Sequence, residues 1–285
     1  NLNRTFFQSN SFTNILPNSQ LNASSSSIFL PIIAYPNGIA IHANYTDTFS
    51  TSSPMVRDLY VSTLPNEANT FTNCETAIFA NKVHGLNVGG AKMSNVLRGI
   101  NSRAHLFTSG RNSISAFQYA IEHNVLPRQN KLSWYNPYRI DADTINLLGR
   151  SRSSHGISIY DNKLDNSKLW SRIENTVVNT YGSTGYAMRL MNLLNVSERT
   201  TIKSYNNTIN ITNPARAIGG ITYINSNRIQ ESFNKVNGLS TAASVLSGGN
   251  FPVGIYYNKA EGQYVCNQHK TLRTGVLFSD NSFSS

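Results

Sequence analysis

The sequence predicts a β-rich α+β fold, with strand-rich N- and C-terminal regions around a central helical region. Three observations carry this expectation. Short runs of β-branched and aromatic residues, broken by Asn, Ser, Gly and Pro, dominate residues 28–63 and 201–278. Between them, apolar residues recur at helical spacing, as at Ile114, Phe117 and Ile121. The order is segregated rather than the alternation of a βαβ sheet. The alternative on the same observations is an all-β shell-type fold with inserted helices.

Residues 1–27 are polar, almost uncharged and end in Ser24–Ser27, which reads as an extended N-terminal arm. Residues 28–285 read as one large domain, divided if at all near 64–73 or 126–137. Pro36-Asn37-Gly38 is a turn between two strands, and Tyr60–Thr63 is a further strand stopped by Leu64-Pro65-Asn66. Helices are expected over 113–124, 143–149 with Asp143 as N-cap, 167–179, and 184–195, where Ala187, Leu190, Met191 and Leu194 form one stripe. Strands then return, with Asn206-Asn207 as a hairpin turn between 201–205 and 208–212. Val253, Ile255 and Tyr257 alternate, and 263–266 returns beside them after Lys259–Gly262. Gly89-Gly90, Gly219-Gly220 and Gly248-Gly249 read as loop punctuation, and no repeat of fixed period stands out.

Asn, Ser and Thr supply 38, 35 and 22 of the 285 residues, while charged residues are only 13%. With 29 aromatic residues this is not a chain disordered by charge repulsion. Eighteen glycines and two cysteines exclude a collagen repeat and a disulfide scaffold. Cys74 and Cys266 are 192 positions apart; a long-range disulfide is open, but two free buried thiols are the favoured reading. No cysteine–histidine cluster, HExxH motif or phosphate-cradling glycine loop is present, so no metal and no cofactor are expected. The longest apolar run, Ile28–Tyr35, is far short of the ~20 residues a membrane span needs.

The formal charge is +10. Acidic residues are missing from 76–121, which carries Lys82, Lys92, Arg98, Arg103 and Arg111. They are missing again from 199–230, which carries Arg199, Lys203, Arg216 and Arg228. These nine residues are the candidates for one positive, nucleic-acid-binding surface. Trp134, Tyr135 and Tyr138 among Arg128, Lys131 and Arg139 offer a second surface, where bases could stack, although a strand edge or subunit interface accounts for them equally well.

One arrangement suggests an enzyme. Asn136-Pro137-Tyr138-Arg139-Ile140-Asp141 resembles the aromatic-Arg strand of ADP-ribosylating toxins, and Tyr181-Gly182-Ser183-Thr184 resembles their aromatic-x-Ser-Thr strand. The resemblance implies that Arg139 holds cofactor phosphates, Ser183 braces the pocket, and Glu231 or Glu261 stabilises an oxocarbenium-like ribose. The competing expectation is that these residues do not converge, with Arg139 on the surface and Ser183-Thr184 capping a helix.

Low charge, abundant neutral polar groups and many aromatics favour a structural protein over an enzyme. Neutral surfaces pair without the cost of desolvating charge. The leading expectation is a self-assembling, homo-oligomeric component of a virus particle, a capsid or other virion protein, with a basic surface toward nucleic acid. The others are a secreted or translocated ADP-ribosyltransferase-like toxin and an RNA-associated protein of a large ribonucleoprotein particle.

Overall fold

The computed structural model describes residues 4–15, 38–44, 58–62, 68–126, 137–149, 153–161, 171–182, 184–194, 202–213, 217–239, 252–272, 274–280 and 283–284. They form strands joined by corners. The N-terminal strands are β1 (Arg4–Phe7), β2 (Ser11–Thr13), β3 (Ile39–Asn44), β4 (Asp58–Ser62) and β5 (Thr70–Thr72). Three long strands follow, β6 (Thr76–Gly89), β7 (Lys92–Gly110) and β8 (Ser113–Val125). Next come β9 (Tyr138–Asp141), β10 (Thr144–Leu147), β11 (His155–Asp161), β12 (Ser171–Glu174), β13 (Val177–Thr180) and β14 (Thr184–Met191). Then come β15 (Ile202–Tyr205), β16 (Thr208–Ile211), β17 (Ala217–Ile224), β18 (Ile229–Ser232) and β19 (Lys235–Gly238). The last are β20 (Val253–Asn258), β21 (Glu261–Val265), β22 (Gln268–Lys270), β23 (Thr274–Ser279) and β24 (Phe283–Ser284).

The strands pair in parallel with strands one coil before or after them, on both sides except at the ends of the coil, and the partners sort into three stacks. Face A stacks β3, the first part of β6, the middle of β7, the second part of β8, then β11, β14, β17, β20 and β23. Face B stacks β1, β4, the ends of β6 and β7, then β9, β12, β15, β18, β21 and β24. Face C stacks β2, β5, the starts of β7 and β8, then β10, β13, β16, β19 and β22. The chain visits A, B and C in turn, so it is a parallel β-helix, each coil about 4.8 Å above the last.

This overturns both the α+β expectation and the inserted helices of its alternative: among the described residues there is no helix. The cause is the corner. In β8, Ile114 and Ala116 point inward on face C, and Ile121, His123 and Val125 point inward on face A. The bend between these two period-two runs shifts their phase and imitates a 3.6-residue period. Ser167–Asn179 fails likewise, because Ile173 is inner on face B and Val178 inner on face C, across the corner at 175–176. In β14, Met188 and Leu190 are inner and register with Ile221 and Tyr223 of the next coil, so the expected stripe is a strand.

The short strands around Asn206-Asn207 do exist, and Asn206 has the left-handed φ of 51°. They make no hairpin, because β15 pairs with β12 and β18 while β16 pairs with β13 and β19. The same holds for β20 and β21, which lie on faces A and B. Gly219-Gly220 is inside β17 rather than in a loop. A Cβ at Gly220 would lie 2.5 Å from the Gly254 carbonyl and 2.8 Å from Val236, so faces A and C approach too closely there for a side chain.

The core is a set of ladders. One inner row of face A runs Ile41, Ile78, Ile100, Ile121, Ile157, Met188, Ile221, Ile255 and Val276. The B-to-C corner is two residues in most coils, and its first residue is left-handed: Arg111, Ala142, Asn175, Asn206, Phe233 and Cys266 have φ between 51° and 58°. The second is polar, and in five of these six corners its side chain accepts a corner N–H of the coil before it, while Thr176 instead donates to the Glu174 carbonyl. Asn112 takes Ala91 N–H at 2.8 Å, Asp143 takes Asn112 N–H at 2.8 Å, Asn207 takes Thr176 N–H at 3.0 Å, and Asn234 takes Asn207 N–H at 2.9 Å. A corner breaks the strand ladder, and the Asn column satisfies the buried backbone donors this leaves. Asp143 is thus a corner acceptor, not a helix cap.

Strands β1 and β2 lie within the expected arm and pair with β4 and β5, so these parts of it belong to the coil. Cys74 is buried and free; Cys266 is also free but exposed, at a corner. No helix among the described residues is long and apolar enough to cross a membrane.

Candidate functional site

The outer side of face A gathers a charged and aromatic strip. Strand alternation turns Arg98, Tyr119, His155 and Tyr186 outward on successive coils in one row. The adjacent outer row is Asn101, Glu122, Ser158, Arg189, Thr222 and Tyr256, and Arg103 stands beside Asn101. Tyr119 and the His155 ring are 6.0 Å apart, and Tyr186 stacks on Tyr256 at 6.1 Å and 20°.

The hydrogen bonds fix the cations. Arg98 Nε donates to Gln118 at 2.8 Å. Arg189 Nη1 lies 3.4 Å from His155 Nε2. A guanidinium only donates, so it faces Nε2 as an acceptor, while Nδ1 lies 3.2 Å from the Tyr186 N–H, which donates to it, and 3.1 Å from the Tyr186 carbonyl. Burial, with Arg189 adding to it, lowers the His155 pKa to about 4 and leaves the ring neutral near pH 7. His155 is only 4% exposed, so it positions Arg189 rather than meeting a ligand.

Glu122 accepts from Asn101 Nδ2 at 2.9 Å. Burial raises its pKa, against the pull of Arg98 and Arg103. No carboxylate lies within ion-pairing distance of Arg98, Arg103 or Arg189 among the described residues. Burial also raises the Tyr119 phenol and takes that of Tyr186 to about 12, so both keep their protons. The strip can therefore offer cations, hydroxyls and amides to a ligand. Arg98 also acts on Glu75, whose carboxyl burial raises against the pull of that guanidinium.

The other sequence candidates are dispersed. Lys82 is exposed at a bulge where β6 turns from face A to face B, and Lys92 opens β7 on face C. Arg111 occupies a B-to-C corner, Lys203 the outer side of face B, and Arg228 an A-to-B corner. Arg199 and Arg216 lie outside the described residues. The structure brings Arg98 and Arg103 together and places Lys92 and Lys203 on other faces. The acid-free segments thus do not form one face, because each coil spreads its residues round three sides. Arg189 was missed, since it stands between those segments and only the coil register brings it to the strip.

Arg139 is on the outer side of face B, paired with Asp141 at 3.2 Å and Glu174 at 3.5 Å. Glu231 is inside the coil and fully buried, so it does not converge with Arg139. Glu261 opens β21 at the surface, and Ser183 lies outside the described residues. Thr184 starts a strand and caps no helix. Tyr138 points inward, fully buried, and is no platform for a base; Trp134, Tyr135, Arg128 and Lys131 lie outside the described residues.

A second polar cluster lies inside the coil. The Tyr223 hydroxyl and Asn234 amide donate to the two oxygens of Glu231. Burial pushes the Glu231 pKa up to about 8, so this carboxyl is protonated near pH 7. Asp143 accepts from Ser109 and the Asn112 backbone, and burial raises its pKa to about 6. Both clusters are closed to ligands and act within the core. Among the described residues no group of three His, Cys, Asp or Glu is placed to hold a metal ion.

No family model matches the sequence, and searches of curated proteins and of solved structures find no match either.

Proposed function

We propose that the protein is a rigid, non-enzymatic rod that binds an extended polyanion along face A and works within a larger assembly. A homo-oligomeric virion is the assembly that its composition favours. The observation that carries the reading is that Arg98, Arg103 and Arg189, on one face, have no carboxylate within ion-pairing distance among the described residues. Support for a binding rather than a catalytic role comes from His155, which is buried and bonded on both nitrogens. A coil whose corners and ladders are internally bonded resists bending, which suits a shaft or a shell element.

The test is equilibrium binding to an immobilised polyanion at increasing salt, together with light scattering for assembly. Affinity falls linearly in log–log form if counterions are released at these guanidiniums. Salt-independent binding, or none, would refute the polyanion reading. A stable monomer at all concentrations would refute the self-assembling one.

A further inference from the structure

We infer that the polyanion taken by face A is an acidic polysaccharide with widely spaced carboxylates, rather than a nucleic acid. The inference rests on the polyanion reading above and specifies its ligand.

The first argument is charge spacing. Arg98 and Arg103 stand on the β7 coil and Arg189 on the β14 coil, three coils on through β8 and β11. At about 4.8 Å per coil the strands that carry the two cationic stations are roughly 14 Å apart, and Arg189 reaches back to His155, one coil nearer to Arg98. A nucleic-acid strand carries a phosphate on every unit, so several charges would lie between the stations without a partner. A glycan with a carboxylate on every second or third sugar leaves neutral, hydroxylated units there instead.

The second argument is what lies between and beyond the stations. Tyr119, Asn124, Tyr256 and Asn258 are partly exposed and present hydroxyls and amides along the same face. These groups both donate and accept, matching sugar hydroxyls, which do the same.

The third argument is ring geometry. Unpaired bases bind where they can stack on open aromatic faces. Here the rings cover one another: Tyr186 lies on Tyr256 with centroids 6.1 Å apart, and Tyr119 leans on His155 at 6.0 Å. Neither gap admits a base between the rings, whose edges and hydroxyls remain for hydrogen bonding.

The experiment measures binding of the whole chain to hyaluronan, which alternates a uronate with a neutral sugar, to poly(dT), and to uncharged dextran. Hyaluronan is expected to bind at least tenfold tighter than poly(dT) at equal salt, with dextran unbound. Arg98→Ala with Arg189→Ala should weaken hyaluronan at least tenfold, and Arg98→Lys with Arg189→Lys should restore most of it. Circular dichroism and melting temperature establish that each variant is folded. Tighter binding of poly(dT) overturns the glycan inference and leaves the polyanion reading standing. Binding of neither polyanion overturns both. Hyaluronan binding that survives in the folded alanine variant removes face A as the site.

Discussion

Faces A and B carry similar cations on their outer sides and use them differently. On face B, Arg139 and Arg172 stand on neighbouring coils, and both reach Glu174, with Asp141 alongside. On face A, Arg98, Arg103 and Arg189 have no carboxylate in ion-pairing range among the described residues. Beneath face A runs the aliphatic ladder from Ile41 to Val276. Beneath face B the rows are interrupted by Ser109, Ser171, Ser204 and Glu231. Face A has polar groups inside as well, His123 meeting Ser102 at 3.2 Å, so what separates the two faces is the outer charge, paired on face B and without a carboxylate in range on face A among the described residues. The lesson is that a count of cations says little until their partners are known.

The largest expected effect comes from breaking the ladder beneath face A. Ile157 is fully buried between Ile121 and Met188. Ile157→Ala removes contacts to both neighbouring coils and should cost about 2–5 kcal/mol. Denaturant unfolding measures it, and a loss below about 1 kcal/mol would mean that the coil collapses to fill the gap.

Glu231 tests the polar interior beneath face B. Its folded pKa of about 8 exceeds that of an unfolded glutamate, so the stability it lends is fully present at acid pH and lost as pH rises through 8. Two buried histidines act in the other direction. His123, at about 3, and His155, at about 4, lend stability that is present above about pH 6.5 and lost as pH falls. Asp143, at about 6, has ionised by then. Between pH 6.5 and 8 only the Glu231 arm remains among these four groups. The protein should lose roughly 2 kcal/mol across that window, about 1.4 per pH unit at most. Glu231→Gln puts a neutral group of the same size in place of the protonated carboxyl and removes its titration, so its melting temperature should be flat there. A variant as pH-sensitive as the parent would locate the titration elsewhere.

How much of this was legible in the sequence follows from the same geometry. Short strands at 202–205, 208–211 and 253–258 were readable, because period-two alternation survives within a strand. Their partners were not, since each pairs one coil away rather than across its own turn. The repeat was hidden by uneven coil length: Ile100 and Ile121 are adjacent in the ladder 21 residues apart, Ile41 and Ile78 37 residues apart. Asn abundance was the visible sign of the corner columns, but composition does not say that Asn112, Asn207 and Asn234 are buried acceptors. Of the site, Arg98 and Arg103 were legible as cations in an acid-free stretch. Arg189, Tyr119 and Tyr186 join them only through the coil register.

Reversing the face A charge is the next test. Arg98→Glu with Arg189→Glu replaces attraction by repulsion at both stations. Polyanion affinity should fall by about a hundredfold or more at low salt, and the log–log salt slope should shrink by about two contacts. An unchanged slope would mean that the counterions are released elsewhere.

The smallest effect is expected where the charges are already paired. Arg139 is 41% exposed and Arg172 35%, and the carboxylates they meet are at the surface too. Exposed pairs of this kind contribute about 0–1 kcal/mol, because water screens the attraction and ordering the side chains costs entropy. Arg139→Ala with Arg172→Ala should therefore lower stability by no more than about 1 kcal/mol. It also removes as much positive charge as the face A double alanine variant does. If binding responded only to net charge, the two variants would weaken a polyanion equally. If unpaired guanidiniums make the contacts, the face B variant should keep its affinity within about twofold, since removing Arg139 and Arg172 takes away groups already held by Glu174 and Asp141. Titrating both variants against the same polyanion at the same salt decides between the two, and equal losses would show that face A has no special role.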